Sequence, residues 1–251
     1  AAFVSFLLAC VVSPTSLLAE EGKLGSFEKE VSEPEGGTSE PESTSSVDAA
    51  SIAAEGVMSI LMQFFMMGLM TSGLEGSADL YRDLKKEWHP AMPTVRVEPA
   101  YQWMAGNING FSGKLEAGYL IFGVDGEYNR LWEKAPASSL DIWSAHFLLR
   151  SVFARFFGVN LALGAKGLHG DGSRAGFEVG MPFYIFFTRK LYMDVLPYVA
   201  TFKGSRAVYD IGGGLSFKWK MIGARAGYRA LFTGGQTLHG PRIGLFFQWS
   251  V

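Results

Sequence analysis

"TVRVEPAYQWM", Thr94–Met104, is where this chain changes its period. Val95, Val97, Tyr101 and Trp103 fall on one parity, and Arg96, Glu98 and Gln102 on the other. A strand sends successive side chains to opposite faces, so these residues back an apolar row with a charged one. Before Thr94 the apolar spacing is helical; after it the two-residue beat runs to the end of the chain.

The beat recurs in "GKLEAGYLI", "VDGEYNRLW", "DIWSAHFLLR", "GVNLALGAKG", "GFEVGMPFYIFF", "AVYDIGGGLSFKW", "IGARAGYRALF" and the closing "RIGLFFQWSV". It is less regular in "LYMDVLPYVATF", where Asp194 is a candidate for the polar face. That predicts about ten strands, or eight if "GYLIFGVDGEYNRLW" is one long strand, several near the ~9–11 residues a tilted strand needs to cross a bilayer. Tight turns are expected near Phe122-Gly123, Arg189-Lys190 and Lys220-Met221. More polar connections are expected at "GNINGFSG", "KAPASS", "HGDGSR", "KGSR" and "TGGQTLHG". Short turns at one end and longer loops at the other are the habit of membrane barrels.

Upstream the chain divides into three. "AAFVSFLLACVVSPTSLLAEEG" reads as a signal peptide over residues 1–19, its apolar core Phe3–Val12 too short to span a bilayer, with cleavage after Ala19. A competing reading takes "LLAC" as a lipoprotein box with Cys10 acylated. Residues 20–46 set eight Glu against two Lys among Ser, Pro, Gly and Thr, a composition that predicts a disordered acidic linker. Residues 47–93 read as a helical periplasmic or interfacial segment, ended by Pro90 and Pro93. Its most apolar part, Val57–Met70, would measure roughly 21 Å as a helix, short of a ~30 Å hydrocarbon core. It is expected to lie in the interface, plug a pore or bind a periplasmic or membrane partner through residues 47–88.

Composition narrows the functions. Charged residues make up 18% of the 251 and aromatics 14%, and the net charge is −2. The basic excess outside the linker is small and scattered, which argues against nucleic-acid binding. A single cysteine rules out an internal disulfide, and the four histidines lie far apart. No paired-Cys, H-E-x-x-H, P-loop or G-x-S-x-G motif occurs, so neither a metal nor a cofactor is expected.

A soluble sandwich alternates too. Two features favour a closed antiparallel up-and-down transmembrane β-barrel over residues 94–251. Trp103, Trp132, Trp143, Trp219, Trp249, Tyr128, Tyr209 and Tyr228 lie toward strand ends, where a bilayer girdle would place them. The opposite parity carries glycines and opposed charges. Arg96, Glu98, Glu116, Glu127, Lys166, Glu178, Asp210, Arg225 and Arg229 are the predicted lumen lining, with Lys114, Lys218 and His146 on the same face.

The terminal "RIGLFFQW" resembles the C-terminal β-signal of bacterial outer-membrane proteins, with Arg242, Gly244, Phe247 and Trp249 at its positions. That family usually ends on the last aromatic, whereas Ser250 and Val251 follow here. The resemblance implies a bacterial outer-membrane location, contact with outer-membrane lipid and insertion by the outer-membrane assembly machinery. It implies no activity, because one fold hosts unrelated functions.

Three functions fit. The first is a structural or interaction barrel with a narrow, charge-lined lumen, and this is the reading adopted. The second is a narrow solute or ion channel. The third is a lipid-modifying enzyme built on His169, Asp171 and Ser173, with His239 in a loop at the same end; against it, Gly-Asp-Gly-Ser is ordinary turn chemistry.

Overall fold

The computed structural model describes residues 22–32, 63, 83, 95–119, 121–134, 137–154 and 156–249. One helix, α1 (Lys23–Ser32), precedes eleven strand segments: β1 (Val95–Met104), β2 (Ile108–Tyr119), β3 (Phe122–Lys134), β4 (Ala137–Ala154), β5 (Phe157–His169), β6 (Ser173–Gly180), β7 (Phe183–Phe186), β8 (Leu191–Phe202), β9 (Val208–Trp219), β10 (Ile222–Thr233) and β11 (Gln236–Trp249). Apart from β6 and β7, each strand pairs antiparallel with its sequence neighbours, and β1 pairs with β11, so the sheet closes on itself.

β6 and β7 are two halves of one stave. Both pair with β5 and β8 in the same register, and the break falls at Met181-Pro182. Pro182 has no N–H to give the ladder. The flanking bonds persist: Met181 donates to the Pro197 carbonyl at 3.0 Å and Asn160 to the Pro182 carbonyl at 2.7 Å. The barrel therefore has ten staves. "GYLIFGVDGEYNRLW" falls on two of them, β2 ending at Tyr119 and β3 starting at Phe122. Directly opposed residues followed around the wall from Glu98 return to β1 about twelve positions along, the stagger that closure of tilted strands requires.

The connections correct the expected loops. All are short. At one mouth they are residues 105–107, 135–136, 170–172, 203–207 and 234–235; at the other, 120–121, 155–156, 187–190 and 220–221. Most of "GNINGFSG" and "TGGQTLHG" is strand, because the alternating positions around the small and polar residues still bury inward groups such as Ile108 and Leu238.

Parity decides inside from outside. Val97, Trp103, Leu115, Phe147, Leu215, Phe217, Ile243, Leu245 and Phe247 are exposed on the outer wall. Charged residues on the outward parity, such as Arg130 and Asp141, cluster toward the 105–107 mouth. Tyr101 meets Trp103 and Trp132 edge-on there, centroids 4.8 Å and 6.2 Å apart. Trp219, Trp249, Tyr119 and Phe122 ring the opposite rim.

Helix α1 corrects the linker reading. Within 20–46, residues 23–32 are helical, and Leu24, Phe27 and Val31 are buried. Their spacing puts one stripe on one face, and the stripe packs into the apolar ring of Met104, Ile108, Leu131, Leu140, Leu168, Phe202, Val208, Leu231 and Leu238. Burial of that stripe orders a segment whose average composition argues against order. The rest of 20–46, the segment 1–19 with Cys10 and Ala19, and Ser250 and Val251 lie outside the described residues. So does the segment 47–93 apart from Gln63 and Asp83, both helical and exposed.

Candidate functional site

The lumen is the site the fold builds. Strands alternate, so every second residue of ten staves points inward, and in this chain the mid-height inward positions are mostly ionisable. Arg96, Glu98, Glu116, Lys166, Glu178, Asp210, Arg225 and Arg229 are all buried there, and Glu127 is partly buried beside them.

These groups form one network. Arg229 holds Asp210 by two bonds, Nε to Oδ1 at 2.9 Å and NH2 to Oδ2 at 2.6 Å. Lys166 donates to Asp210 and to Glu178, both at 2.7 Å. Each ring nitrogen of His146 faces a carboxylate: Nδ1 lies 2.7 Å from Asp125 and Nε2 2.8 Å from Glu178. Lys114 closes on Asp125 at 3.0 Å. On the other side Arg242 reaches Glu127 at 2.8 Å, and Arg225 bridges Asp194 at 2.7 Å and Glu98 at 3.2 Å. Toward the 120–121 mouth Arg96 donates to Glu98 and to the Tyr192 hydroxyl, both at 2.6 Å, with its guanidinium 4.2 Å from the Phe246 centroid. Arg150 pairs with Glu116 at 2.7 Å and lies where side chains on Gly118 and Gly123 would stand.

Such pairing is what a dry lumen demands. An unpaired charge there costs several kcal/mol, and each partner offsets part of that cost. Among the described residues a few buried atoms keep no protein partner, including Arg225 Nε, Arg242 Nε and Gln102 Nε2. Arg225 and Arg242 line the larger of two small cavities, ≈ 20 Å³ and ≈ 10 Å³, each with room for a water or two.

Sequence reasoning missed several members. Arg242, assigned to a terminal signal, also points inward into the network. Asp125 and Arg150 fall on the polar parity, a signal that was readable in each strand. Tyr192, Tyr198, Phe246 and Phe186 also point inward. A search for polar inward rows passes over aromatics.

α1 completes the site by closing the 105–107 mouth. The Glu28 carboxylate accepts the Asp171 and Gly172 N–H groups at 2.9 Å and 2.7 Å. Glu30 pairs with Arg206 and accepts the Gly235 N–H. Leu24 N–H donates to Glu133 at 3.3 Å, and Lys23 lies over Gly106. The helix thus touches four turns of that mouth and the end of β3.

The catalytic candidates are not assembled. Asp171 offers its backbone to Glu28, His169 is exposed, and among the described residues no hydrogen bond joins the side chains of His169, Asp171 and Ser173. His239 is corrected from a loop to strand β11, where its alternation continues unbroken; its Nδ1 meets the Tyr228 hydroxyl. Gly244 is inward, and Phe247 and Trp249 are outward on β11.

No family model matches this chain. No curated protein matches it either. Among solved structures it is similar to "KdgM porin in complex with disordered oligogalacturonate", at 10% identity and TM-score 0.36 over 61% of this chain and 99% of that one. It is also similar to "KdgM porin", at 11% identity and TM-score 0.35 over the same shares.

Proposed function

We propose that the protein is an integral outer-membrane barrel whose lumen is closed, and that it serves as a structural or interaction element of the cell envelope. The observation that carries the reading is the double closure: an ion-paired network fills mid-lumen, and α1 seals one mouth over an apolar ring. The outer wall supports the membrane setting. From Phe111 to Tyr119 on β2, eight steps rise about 27 Å along the strand, or about 20 Å along the axis at ~40° tilt, near the ~25 Å apolar band of outer-membrane barrels. The C-terminal β-signal resemblance of Arg242, Gly244, Phe247 and Trp249 supports delivery by the outer-membrane assembly machinery. Planar-bilayer recording tests the closed lumen: negligible conductance is expected, and stable single-channel openings would establish the channel reading in its place.

A further inference from the structure

The seat of α1 is built by the barrel and is shaped for more than an apolar plug. Its wall runs from β1 to β11, with Met104, Ile108, Leu131, Leu140, Phe202 and Leu238 among its members. Against that wall α1 sets Leu24, Phe27 and Val31, all buried. Three turn glycines leave hollows for the polar side chains of the helix. A Cβ at Gly106 would meet the Lys23 side chain, one at Gly170 the Glu28 carboxylate, and one at Gly234 the Glu30 carboxylate.

Turn N–H groups point at the same two acids. Asp171 and Gly172 donate to Glu28 at 2.9 Å and 2.7 Å, and Gly235 donates to Glu30 at 3.2 Å. Arg206 supplies the opposite charge to Glu30. Hydrogen bonds to an ionised carboxylate are the stronger kind, so these turns select an acid at each place.

The barrel holds these features in place by its own ladder. The 170–172 turn closes a hairpin paired up to His169 and Ser173, and the Gly170 N–H bonds the Gly172 carbonyl at 3.0 Å. The 234–235 turn closes one paired up to Thr233 and Gln236. The helix, by contrast, is ten residues with Gly25 inside, too short to be well ordered alone. A rigid cup and a short segment that becomes helical on it are the parts of helix-in-groove peptide recognition. Membership of the same chain raises the local concentration of α1 but adds no contact.

We infer that the 105–107 mouth is a receptor for a helical peptide, occupied in cis by α1, and that in trans it takes a partner-protein helix with the pattern L-x-x-F-E-x-E-V of Leu24–Val31. The pattern follows from the seat. Apolar residues at its first, fourth and eighth places meet the ring, and acids at its fifth and seventh meet the turns. The inference rests on the interaction reading above and gives the partner its chemistry.

A fluorescent synthetic peptide of residues 22–32, titrated by anisotropy against full-length protein in detergent micelles, tests this. Leu24→Asp with Phe27→Asp in the protein vacates the seat. The peptide is expected to bind the vacated barrel saturably and the parent about tenfold more weakly, because tethered α1 competes. Absence of binding to a vacated barrel that keeps its heat-modifiable gel shift overturns the inference, and so does equal binding to both proteins. A charge exchange checks the placement. Arg206→Glu in the vacated barrel is expected to lower affinity for the peptide about tenfold, the scale of one lost charged hydrogen bond. A peptide carrying Glu30→Arg should recover part of that loss. Full affinity for the unaltered peptide in Arg206→Glu, or no recovery with the exchanged one, also overturns the inference. Stable channel openings in planar bilayers would sink the closed-lumen reading and leave the peptide titration to decide this inference separately.

Discussion

Arg229 and Asp210 meet diagonally across the β9–β10 ladder as a fork on a carboxylate, with bonds of 2.9 Å and 2.6 Å. Asp210 also holds Lys166, so its removal takes a carboxylate from two buried cations, leaving Lys166 with Glu178 and Arg229 with Glu127 and Asn129, whereas removal of Arg229 leaves Asp210 paired with Lys166. Breaking a buried pair by removing one member costs about 3–5 kcal/mol. Asp210→Ala is therefore expected to lower the urea midpoint of the reconstituted protein more than Arg229→Met does. Arg229→Lys should recover only part of the loss, because a point charge cannot make both bonds. Equal midpoints for Asp210→Ala and the parent would remove the network from the list of stabilising features.

The outer wall makes a prediction that separates a membrane barrel from a soluble one. Leu115 is 54% exposed near mid-height and Tyr119 is 66% exposed at the rim. In a bilayer, Leu115→Arg is expected to cost about 2–4 kcal/mol and Tyr119→Arg about 0–1 kcal/mol. Reversible unfolding from liposomes measures both. A soluble barrel would show no such depth dependence.

Phe27 is fully buried under α1. Phe27→Asp puts a charge on the apolar ring, so α1 should leave its seat and become open to limited proteolysis between residues 22 and 32. The strands should keep their heat-modifiable shift. Bilayer conductance should stay negligible, because the ion network still fills the lumen below. If conductance appears on loss of α1, the helix alone keeps the barrel shut.

Two glycines calibrate the wall. At Gly240 an added Cβ would stand 1.8 Å from the Trp103 carbonyl oxygen, on the seam where β11 meets β1, whereas at Gly113 it would meet nothing within 4 Å. Backbone on the neighbouring strand cannot yield as a side chain would. Gly240→Ala is expected to impair closure and lower the yield of heat-modifiable protein; Gly113→Ala should shift stability by less than about 0.5 kcal/mol. Comparable yields for the two would mean that the seam tolerates spreading.

Phe247→Ala with Trp249→Ala removes both aromatics of the proposed β-signal. The variant is expected to accumulate outside the outer-membrane fraction while still refolding in detergent. Normal fractionation would show that insertion does not read these residues.

The barrel was legible because parity is a strong local signal, set by alternation alone and repeated along every stave. Arg96, Glu98, Lys166 and Asp210 could be placed inward from the sequence for that reason. Their partners could not. Which acid meets Lys166 depends on the stagger around the wall, and no local pattern encodes it. α1 was hidden by averaging. Over residues 20–46 the acidic and small residues dominate, yet Leu24, Phe27 and Val31 sit three and four apart, the one trace of a helical face. The short connections were misjudged because Gly and Asn next to a strand mark turns in general, while here the ladder runs into them.

The turns that hold α1 come from β1–β2, β5–β6, β8–β9 and β10–β11, with Glu133 at the end of β3. A ten-residue helix containing Gly25 is marginal by itself. Its docking site exists only when the last hairpin is in place. A helix that precedes every strand in the chain is thereby the last to settle, and a seated α1 certifies that the strands bearing its turns have been laid.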